Sequence, residues 1–259
     1  MSVTAAAPTA PAPTSADLRP GLGRLAGVEL RKMVDTRAGL WLLIVTALLT
    51  VAIVALVCAV GDPPDQTLAR LLEAALAPSS ILLPIIGILL VTSEWNQRTA
   101  LITFSLVPQR GRVLAAKLIA GTILTLAAFV LCIAVAAVGV AIVAPDVSGV
   151  WSLSAGLLFQ MLVSVVTGMA IGIGFGAAIL ASAPAIVLYF ALPAAWGILG
   201  SISFLNDAAE WLDSTQSMTP LTSELLSGTE WARVATTLAL WMVLPLALGW
   251  WRIRREEVR

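Results

Sequence analysis

The charged residues that could do chemistry in this sequence are concentrated in one stretch, SEWNQRTALITFSLVPQRGRVLAAK (residues 93–117). The stretch combines four cations with one carboxylate, although 59% of the whole chain is hydrophobic. Ammonium and guanidinium groups on a helix and a turn are suited to ion pairs and hydrogen bonds with another protein. The chemistry that these residues indicate is therefore recognition of a partner rather than catalysis.

The composition excludes several kinds of catalytic and metal site. The chain contains no His, which removes Ser-His and Cys-His nucleophile systems and His metal ligands. Cys58 and Cys132 both lie in apolar runs and are interpreted as small buried hydrophobes. The sequence has no G-x-x-x-x-G-K-[ST] phosphate loop, so it does not supply an ATPase itself. We therefore predict no catalytic, cofactor-binding or metal-binding residue on this chain.

The composition is that of a polytopic α-helical membrane protein. The mean hydropathy is +0.97, and only 12% of the residues are charged, against about 25% in soluble domains. A membrane helix needs about 20 mostly apolar residues to cross about 30 Å of hydrocarbon. We predict a disordered cytoplasmic tail over residues 1–20 and one six-helix transmembrane domain over 21–259. Its six spans are 39–60, a short second span at 80–93, 113–143, 155–180, 184–202 and 234–251.

The positive charges lie almost entirely on one side of this six-span arrangement. All but two of the 15 Lys and Arg residues fall before span one, between spans two and three, or after span six. The exceptions are Arg70 and Arg233, and the loops on their side carry most of the acidic residues. Because short loops rich in Lys and Arg stay in the cytoplasm, we predict a multi-pass protein with both termini and residues 93–117 in the cytoplasm.

Ionisable residues fall at the ends of the spans rather than near their centres. Glu94, Lys117 and Arg252 each lie where a long side chain can extend to the lipid headgroups, and we expect them to do so. Carriers driven by an ion gradient usually need ionisable groups buried in the membrane. Energy for any transport would therefore come from outside the membrane.

A second polar segment, GRLAGVELRKMVDTRAGLW (residues 23–41), precedes span one. On a helix its apolar residues form a rough stripe and its charged residues form the other side. The stripe contains Leu25, Val28, Met33 and Val34, and the polar side contains Arg24, Glu29, Arg31, Lys32, Asp35 and Arg37. This pattern predicts an interfacial helix in the headgroup plane, with either an anchoring or a docking role.

The stretch after span two predicts a short cytoplasmic helix and then a basic turn. Trp95, Thr99, Ile102 and Leu106 fall on one helical face. Pro108 ends the helix, because proline disfavours helical conformation at the residue before it, and residues 109–112 (QRGR) form the turn. Since this element continues into spans two and three, it can carry movement from a cytoplasmic partner into the membrane. A plain positively charged loop is the alternative.

Two further regions are a glycine stripe in span four and the loop between spans five and six, on the side of the membrane opposite the cytoplasm. Gly168, Gly172 and Gly176 recur every fourth residue in span four. They form a smooth stripe that permits close helix approach, either within the chain or at a dimer or moving interface. The loop 203–233 is acidic but contains several large apolar residues, which favours short amphipathic or re-entrant helices, or a folded extracellular cap.

Together these segments make the chain similar to the permease subunits of ABC-2 type ATP-binding-cassette transporters, of the half-size bacterial kind. The resemblance covers nearly the whole chain and rests on ELRKMVDTRAGLW (29–41), on residues 93–117 and on the loop 203–233. It implies that residues 29–41 are the connecting helix, whose polar residues here are Glu29, Arg31, Lys32 and Arg37. It also implies that residues 93–117 contain the coupling helix that docks on the ATPase, matched here by Glu94, Arg98, Thr99, Pro108, Arg110 and Lys117. We expect Phe104 to face the ATPase with them.

The resemblance further implies a dimeric pore in the bacterial cytoplasmic membrane, opened by cytoplasmic ATPase subunits. ATP and Mg²⁺ would bind to those partners, and the second permease subunit would be an identical or a different chain. We expect no nucleic-acid partner. Such an exporter would move a hydrophobic drug, an antibiotic, a lipid or an ion. A membrane scaffold or sensor that transports nothing, and that needs no ATPase, is the alternative function.

Overall fold

A computed structural model describes residues 21–97, 99, 109–144, 147–200, 202 and 206–255. The predicted tail, residues 1–20, lies outside the described residues. Helices α1 to α6 are Leu22–Asp35, Arg37–Val60, Leu68–Asn96, Arg110–Val143, Ala155–Ile179 and Ser182–Gly200. Helices α7 to α11 are Asn206–Leu212, Ser214–Met218, Pro220–Ser223, Gly228–Thr237 and Leu244–Arg255, and a π-helical segment, Leu238–Val243, joins the last two.

Six of the described helices are long and apolar enough to cross a membrane. They are α2 to α6 and the continuous helix made of α10, the π-helical segment and α11. The predicted fold class, an all-α polytopic membrane protein with six spans, is confirmed. Helices α3 and α5 are the most buried spans, whereas α2 and α6 expose most of their apolar side chains. Exposed apolar surface of this kind is stable against lipid tails, which are themselves apolar.

Helix α3 is much longer than the predicted second span, because it begins at Leu68 rather than near Ser80. The Thr67 hydroxyl caps the first turn by accepting a hydrogen bond from the backbone N–H of Arg70, 3.3 Å away. Arg70 and Glu73 lower the hydropathy of these turns, so a hydropathy pattern alone places the start of the span too late. The additional turns belong to the core, to which they contribute four buried side chains: Leu71, Leu72, Ala75 and Leu76.

The glycine stripe of span four packs within the chain, against α3. A Cβ atom at Gly172 would lie 2.3 Å from the backbone oxygen of Pro84, and one at Gly176 would lie 3.0 Å from that of Ile88. Real Cβ atoms essentially never lie as near as the 2.3 Å at Gly172, and the 3.0 Å at Gly176 is tighter than most real contacts. Helices α3 and α5 can therefore be this near because α5 lacks side chains there. Gly168 is less restricted, since its Cβ would lie 3.6 Å from the Pro84 ring. All three glycines therefore lie against α3 of the same chain, and a dimer or moving interface at the stripe stays a prediction.

Short helices cover the end of the bundle that is opposite to α1. Helices α7 to α9 confirm the prediction of short helices between spans five and six, and their connections fold back onto α5 and the last span. The Gln160 side chain donates to the backbone oxygen of Glu224 at 2.7 Å and accepts from the N–H of Leu226 at 3.2 Å. The Trp241 indole donates to the backbone oxygen of Leu212 at 2.8 Å. These bonds satisfy loop backbone groups that would otherwise be unpaired.

The last span widens into its π-helical segment just before Pro245. Proline has no N–H, and its ring clashes with the carbonyl four residues earlier in a regular α-helix. A π turn accommodates such a residue without ending the helix, as elsewhere in helical proteins. The span therefore continues to Arg255.

Candidate functional site: a buried ion cluster

Four ionisable side chains from three helices meet at one end of the bundle. This end, which we call the basic end, carries α1, the start of α4 and the end of α11. Lys117 on α4 lies between two carboxylates, with its Nζ 2.7 Å from Oε2 of Glu29 on α1 and 3.3 Å from Oε1 of Glu94 on α3. Lys32 on α1 bridges the same two glutamates at 2.7 and 2.5 Å. We call these four residues the ion cluster.

The ion cluster is buried and balanced in charge. The side chains of Glu29, Glu94 and Lys117 are only 6%, 7% and 4% exposed, and that of Lys32 is 37% exposed. Lys117 uses its third proton to donate to the backbone oxygen of Leu90 at 3.0 Å. Two carboxylates and two ammonium groups leave no net charge. Buried charges persist only when they are paired and hydrogen-bonded in this way.

The local structure explains how Glu29 comes to face the bundle. Ala26, Glu29 and Met33 are the buried residues of α1, and their spacing places them on one helical face. The helix ends at Asp35, and the hydroxyl of Thr36 then caps α2 by accepting from the N–H of Gly39 at 3.2 Å. This short connection fixes α1 against the bundle, so its buried face meets α4.

The predicted polar and apolar sides of α1 are partly wrong. Glu29, which was placed on the polar side, is 4% exposed, whereas Val28 and Val34 of the predicted apolar stripe are 48% and 39% exposed. The reason is that Lys117 supplies Glu29 with a counter-charge inside the bundle. The valines can remain exposed because an interfacial helix also contacts lipid.

Glu94 and Lys117 also differ from expectation, because neither extends to the headgroups. Both are buried in the ion cluster. A long cationic side chain at a span end extends to the headgroups when it has no partner. Lys117 instead contacts two carboxylates and a backbone carbonyl. The third such residue, Arg252, donates to the backbone oxygen of Ala178 at 2.8 Å, near the end of α5. There its charge also complements the negative end of that helix dipole.

Lys32, like Glu29, lies on α1, outside the spans. Burial lowers the pKa of its ammonium group, but the hydrogen bonds to Glu29 and Glu94 and their negative charges outweigh that effect. The net result is a pKa above the ordinary value of 10.5. Lys32 therefore stays charged throughout the physiological pH range and keeps the cluster balanced.

The remaining predicted coupling residues are partly outside the described residues. Arg98, Phe104 and Pro108 lie there, as does most of the predicted helix. Thr99 follows the end of α3, and its N–H donates to the backbone oxygen of Glu94 at 2.9 Å. Arg110 begins α4 and donates to the backbone oxygen of Ile253 at 2.5 Å. The QRGR sequence is thus the cap and first turn of a helix rather than a separate basic turn.

The predicted interfacial residues divide into two groups. Glu29 and Lys32 belong to the ion cluster, whereas Arg31 and Arg37 are exposed on α1 and at the start of α2. The structure therefore joins residues from the two segments that sequence reasoning treated separately, 23–41 and 93–117. The three glycines lie elsewhere, between α3 and α5.

A cleft of about 560 Å³ adjoins the ion cluster. Lys32 and Glu94 form part of its polar wall, and apolar side chains such as Leu89 and Leu90 form the other. Asn96 and Ser182 also line the cleft. The Ser182 hydroxyl, at the start of α6, accepts a hydrogen bond from Asn96 at 2.7 Å and shares one with Thr92 at 2.6 Å. Sequence reasoning missed this Thr–Asn–Ser contact, because each residue is an ordinary polar residue near a span end.

Comparisons with models of known protein families and with curated proteins found no match for the chain. Within the described ranges, no group of three or more Cys, Asp or Glu residues is arranged to hold a metal ion. The ion cluster can therefore be interpreted only from its own geometry. It joins α1, the end of α3 and the start of α4 by charge pairs that are costly to break.

Proposed function

We propose that this chain is the membrane subunit of an ATP-driven exporter of the ABC-2 permease type. ATP and Mg²⁺ bind to a separate cytoplasmic ATPase, and a second permease subunit completes the pore. Both termini and the basic end face the cytoplasm of a bacterium, in agreement with the distribution of Lys and Arg. The cargo is a hydrophobic drug, an antibiotic or a lipid, or an ion.

The observation that carries this proposal is the position of the ion cluster relative to residues 93–117. Glu94 lies near the beginning of this stretch and Lys117 at its end, and their bonds to Glu29 and Lys32 attach α1 to both ends. A force applied by a partner between residues 97 and 109 would reach α1, α3 and α4 together. Packed helices that move as a unit can switch between two arrangements, as alternating access requires.

The energy source fits the same arrangement. The ionisable groups of the ion cluster are at the basic end and already paired with one another, so they are poorly suited to carry protons or ions across the spans. The sequence has no phosphate loop of its own. A separate ATPase acting at the basic end supplies the energy of ATP hydrolysis, for which this sequence has no phosphate loop.

The test is affinity purification of the full chain from its native membrane, with mass spectrometry and an ATPase assay. We expect a cytoplasmic ATP-binding subunit to co-purify and to hydrolyse ATP in a vanadate-sensitive manner. An Arg70→Gln variant, which changes an exposed charge at the start of α3, away from the basic end, serves as the control for nonspecific loss. A chain that purifies alone and without ATPase activity, under conditions that preserve other complexes, would contradict the proposal and favour the scaffold or sensor function.

A further inference from the structure

A cavity of about 390 Å³ lies at the end of the bundle that is opposite to the basic end. We call this end the capped end, because the short helices α7 to α9 cover it. The walls of the cavity are the first half of α3, the middle of α5, Tyr189 on α6, and helices α8 and α9. Its volume is within the range of ligand pockets in proteins, about 300–1,000 Å³. The ion cluster contributes no residue to it.

The cavity is deep, with a polar mouth and an apolar interior. Glu73 and Pro84 both line it, and the rise of an α-helix places them about 16 Å apart along α3. Glu73 is exposed near the start of α3, whereas Pro84 is buried. Val165 and Ile171 of α5, which are 5% and 7% exposed, form part of the apolar wall. A ligand that fills the cavity therefore needs a polar end and an apolar body.

Several polar groups of the cavity can only accept hydrogen bonds. The Ser80 hydroxyl donates to the backbone oxygen of Ala77 at 2.8 Å. The Thr219 and Thr222 hydroxyls also donate to backbone oxygens one turn or less before them, at 2.7 and 3.0 Å. A hydroxyl whose proton is already used offers a ligand only its lone pairs. Pro84 has no N–H, so the backbone oxygen of Ser80 lacks its usual helical donor as well.

The charge at the mouth of the cavity is negative. Glu73 lines the cavity, and none of the lining residues is Lys or Arg. The six-span arrangement places only two cations, Arg70 and Arg233, at the capped end. Arg70 is exposed one turn before Glu73, but among the described residues no ion pair involves Glu73. The guanidinium carbon of Arg233 lies 5.9 Å from the centre of the Trp211 ring, outside the cavity. The Glu73 carboxylate is therefore accessible to a cationic ligand.

Tyr189 gives the cavity a fixed aromatic wall. Its ring packs edge-on against Phe175 of α5, with the ring centroids 5.9 Å apart. Gly168 leaves room for the Tyr189 hydroxyl, which would lie 3.9 Å from a Cβ atom at that position. An aromatic side chain of this kind offers a large apolar surface with one polar tip. The apolar body of a ligand can pack against it.

We propose that this cavity binds an amphipathic amine, which is a ligand with a primary ammonium group and an apolar chain. An ammonium group has three donors and no acceptor, which matches a lining of acceptor oxygens. It binds the Glu73 carboxylate through a charge-assisted hydrogen bond, and the chain extends along Val165 and Ile171 towards Tyr189. Binding at this site needs no ATP hydrolysis, so the inference does not depend on the proposed function.

The test is equilibrium binding of radiolabelled decylamine to the full-length protein in phosphatidylcholine nanodiscs, with binding to empty nanodiscs subtracted. We expect saturable binding, for which unlabelled decanol competes roughly tenfold more weakly because it has the same chain without the charge. Glu73→Gln should weaken decylamine binding roughly tenfold, the loss expected for one charge-assisted hydrogen bond. The matched control Asp62→Asn removes another exposed carboxylate from the capped end and should leave the affinity nearly unchanged.

Three results would overturn the proposal. Unchanged affinity in Glu73→Gln would remove the carboxylate from the site. Equal competition by decanol would show that the cavity selects apolar chains rather than amines. Equal weakening in Glu73→Gln and Asp62→Asn would indicate general attraction to the acidic end rather than a site.

A second variant keeps the test decisive if Glu73→Gln does not fold. Ser164 lines the cavity from α5, so Ser164→Leu places a larger side chain inside it and should abolish the saturable binding of decylamine. Unchanged binding in Ser164→Leu would place the amine elsewhere and contradict the proposal. None of these measurements uses an ATPase, so their outcome is separate from that of the purification experiment.

Discussion

Replacing Lys117 by methionine is expected to destabilise the protein by about 3–5 kcal/mol, because it breaks a buried ion pair from one side. Methionine nearly preserves the volume of the site, so a cavity contributes little. What remains is a buried pair of carboxylates, 6% and 7% exposed, that keep Lys32 but have lost the ammonium group between them. The excess negative charge then lies in a region that water reaches poorly.

The compensating variant is Glu29→Met/Lys117→Met, which removes one charge of each sign. It leaves Glu94 paired with Lys32, as in the wild type. Replacing a whole buried pair by apolar residues is often nearly neutral. The double variant should therefore be more stable than Lys117→Met alone, and the double-mutant cycle should show a coupling free energy between residues 29 and 117.

The measurement is thermal unfolding of each full-length variant in the same detergent, followed by light scattering and tryptophan fluorescence. For a chain of this size, the loss predicted for Lys117→Met corresponds to a fall in Tm of about 10 °C. The exposed substitution Arg31→Gln should stay within about 0.5 kcal/mol of the wild type. Two results would refute the interpretation of the cluster as a set of coupled pairs. One is a Lys117→Met protein with the same Tm as the wild type, and the other is a double variant that is less stable than Lys117→Met.

Three other predictions use different parts of the molecule. Gly172→Leu should destabilise the protein by about 1–3 kcal/mol through overpacking, since its Cβ would lie 2.3 Å from the Pro84 oxygen. Gly168→Ala should have a Tm close to that of the wild type, because its Cβ would lie 3.6 Å from the Pro84 ring. A Gly172→Leu protein with an unchanged Tm would mean that α3 and α5 can separate there freely. Because the pKa of Lys32 is raised in the folded state, its stabilisation is fully present below pH 10.5 and is lost as the pH rises through the raised value. The Tm difference between wild type and Lys32→Gln should therefore shrink at alkaline pH, and a difference that grows there would reverse the assigned sign. Arg98→Glu should reduce the coupling of ATP hydrolysis to transport while leaving membrane insertion intact, as measured in proteoliposomes with the co-purified ATPase. Unchanged coupling would remove Arg98 from the docking surface.

The six spans and the amphipathic helix α1 were predictable because each is a local pattern of apolar and polar residues. The early start of α3 was not, since Arg70 and Glu73 obscure an apolar face that becomes evident only when α3 is packed in the bundle. Hydropathy averages over a window, whereas burial depends on the face that each residue occupies.

The ion cluster was beyond sequence reasoning for a different reason. Glu29 and Lys117 are separated by 88 positions, and nothing in their neighbouring residues indicates that they pair. One signal was present: Glu94 and Lys117 bracket the same polar stretch, and each lies close to the boundary of a span. Charges of opposite sign at adjoining span ends can be expected to meet when the spans pack side by side.

The order of the cluster residues along the chain has a consequence for synthesis in the cell. Glu29 and Glu94 precede Lys117, so both carboxylates have been made before the ammonium group that lies between them emerges. A chain emerges from its N-terminus during synthesis, so α1 and α3 are made before α4. Until then the two glutamates lack the ammonium group that lies between them in the folded protein, and their negative charges attract the basic start of α4 to its position. Assembly of the third span is then guided by negative charges that its own lysine neutralises.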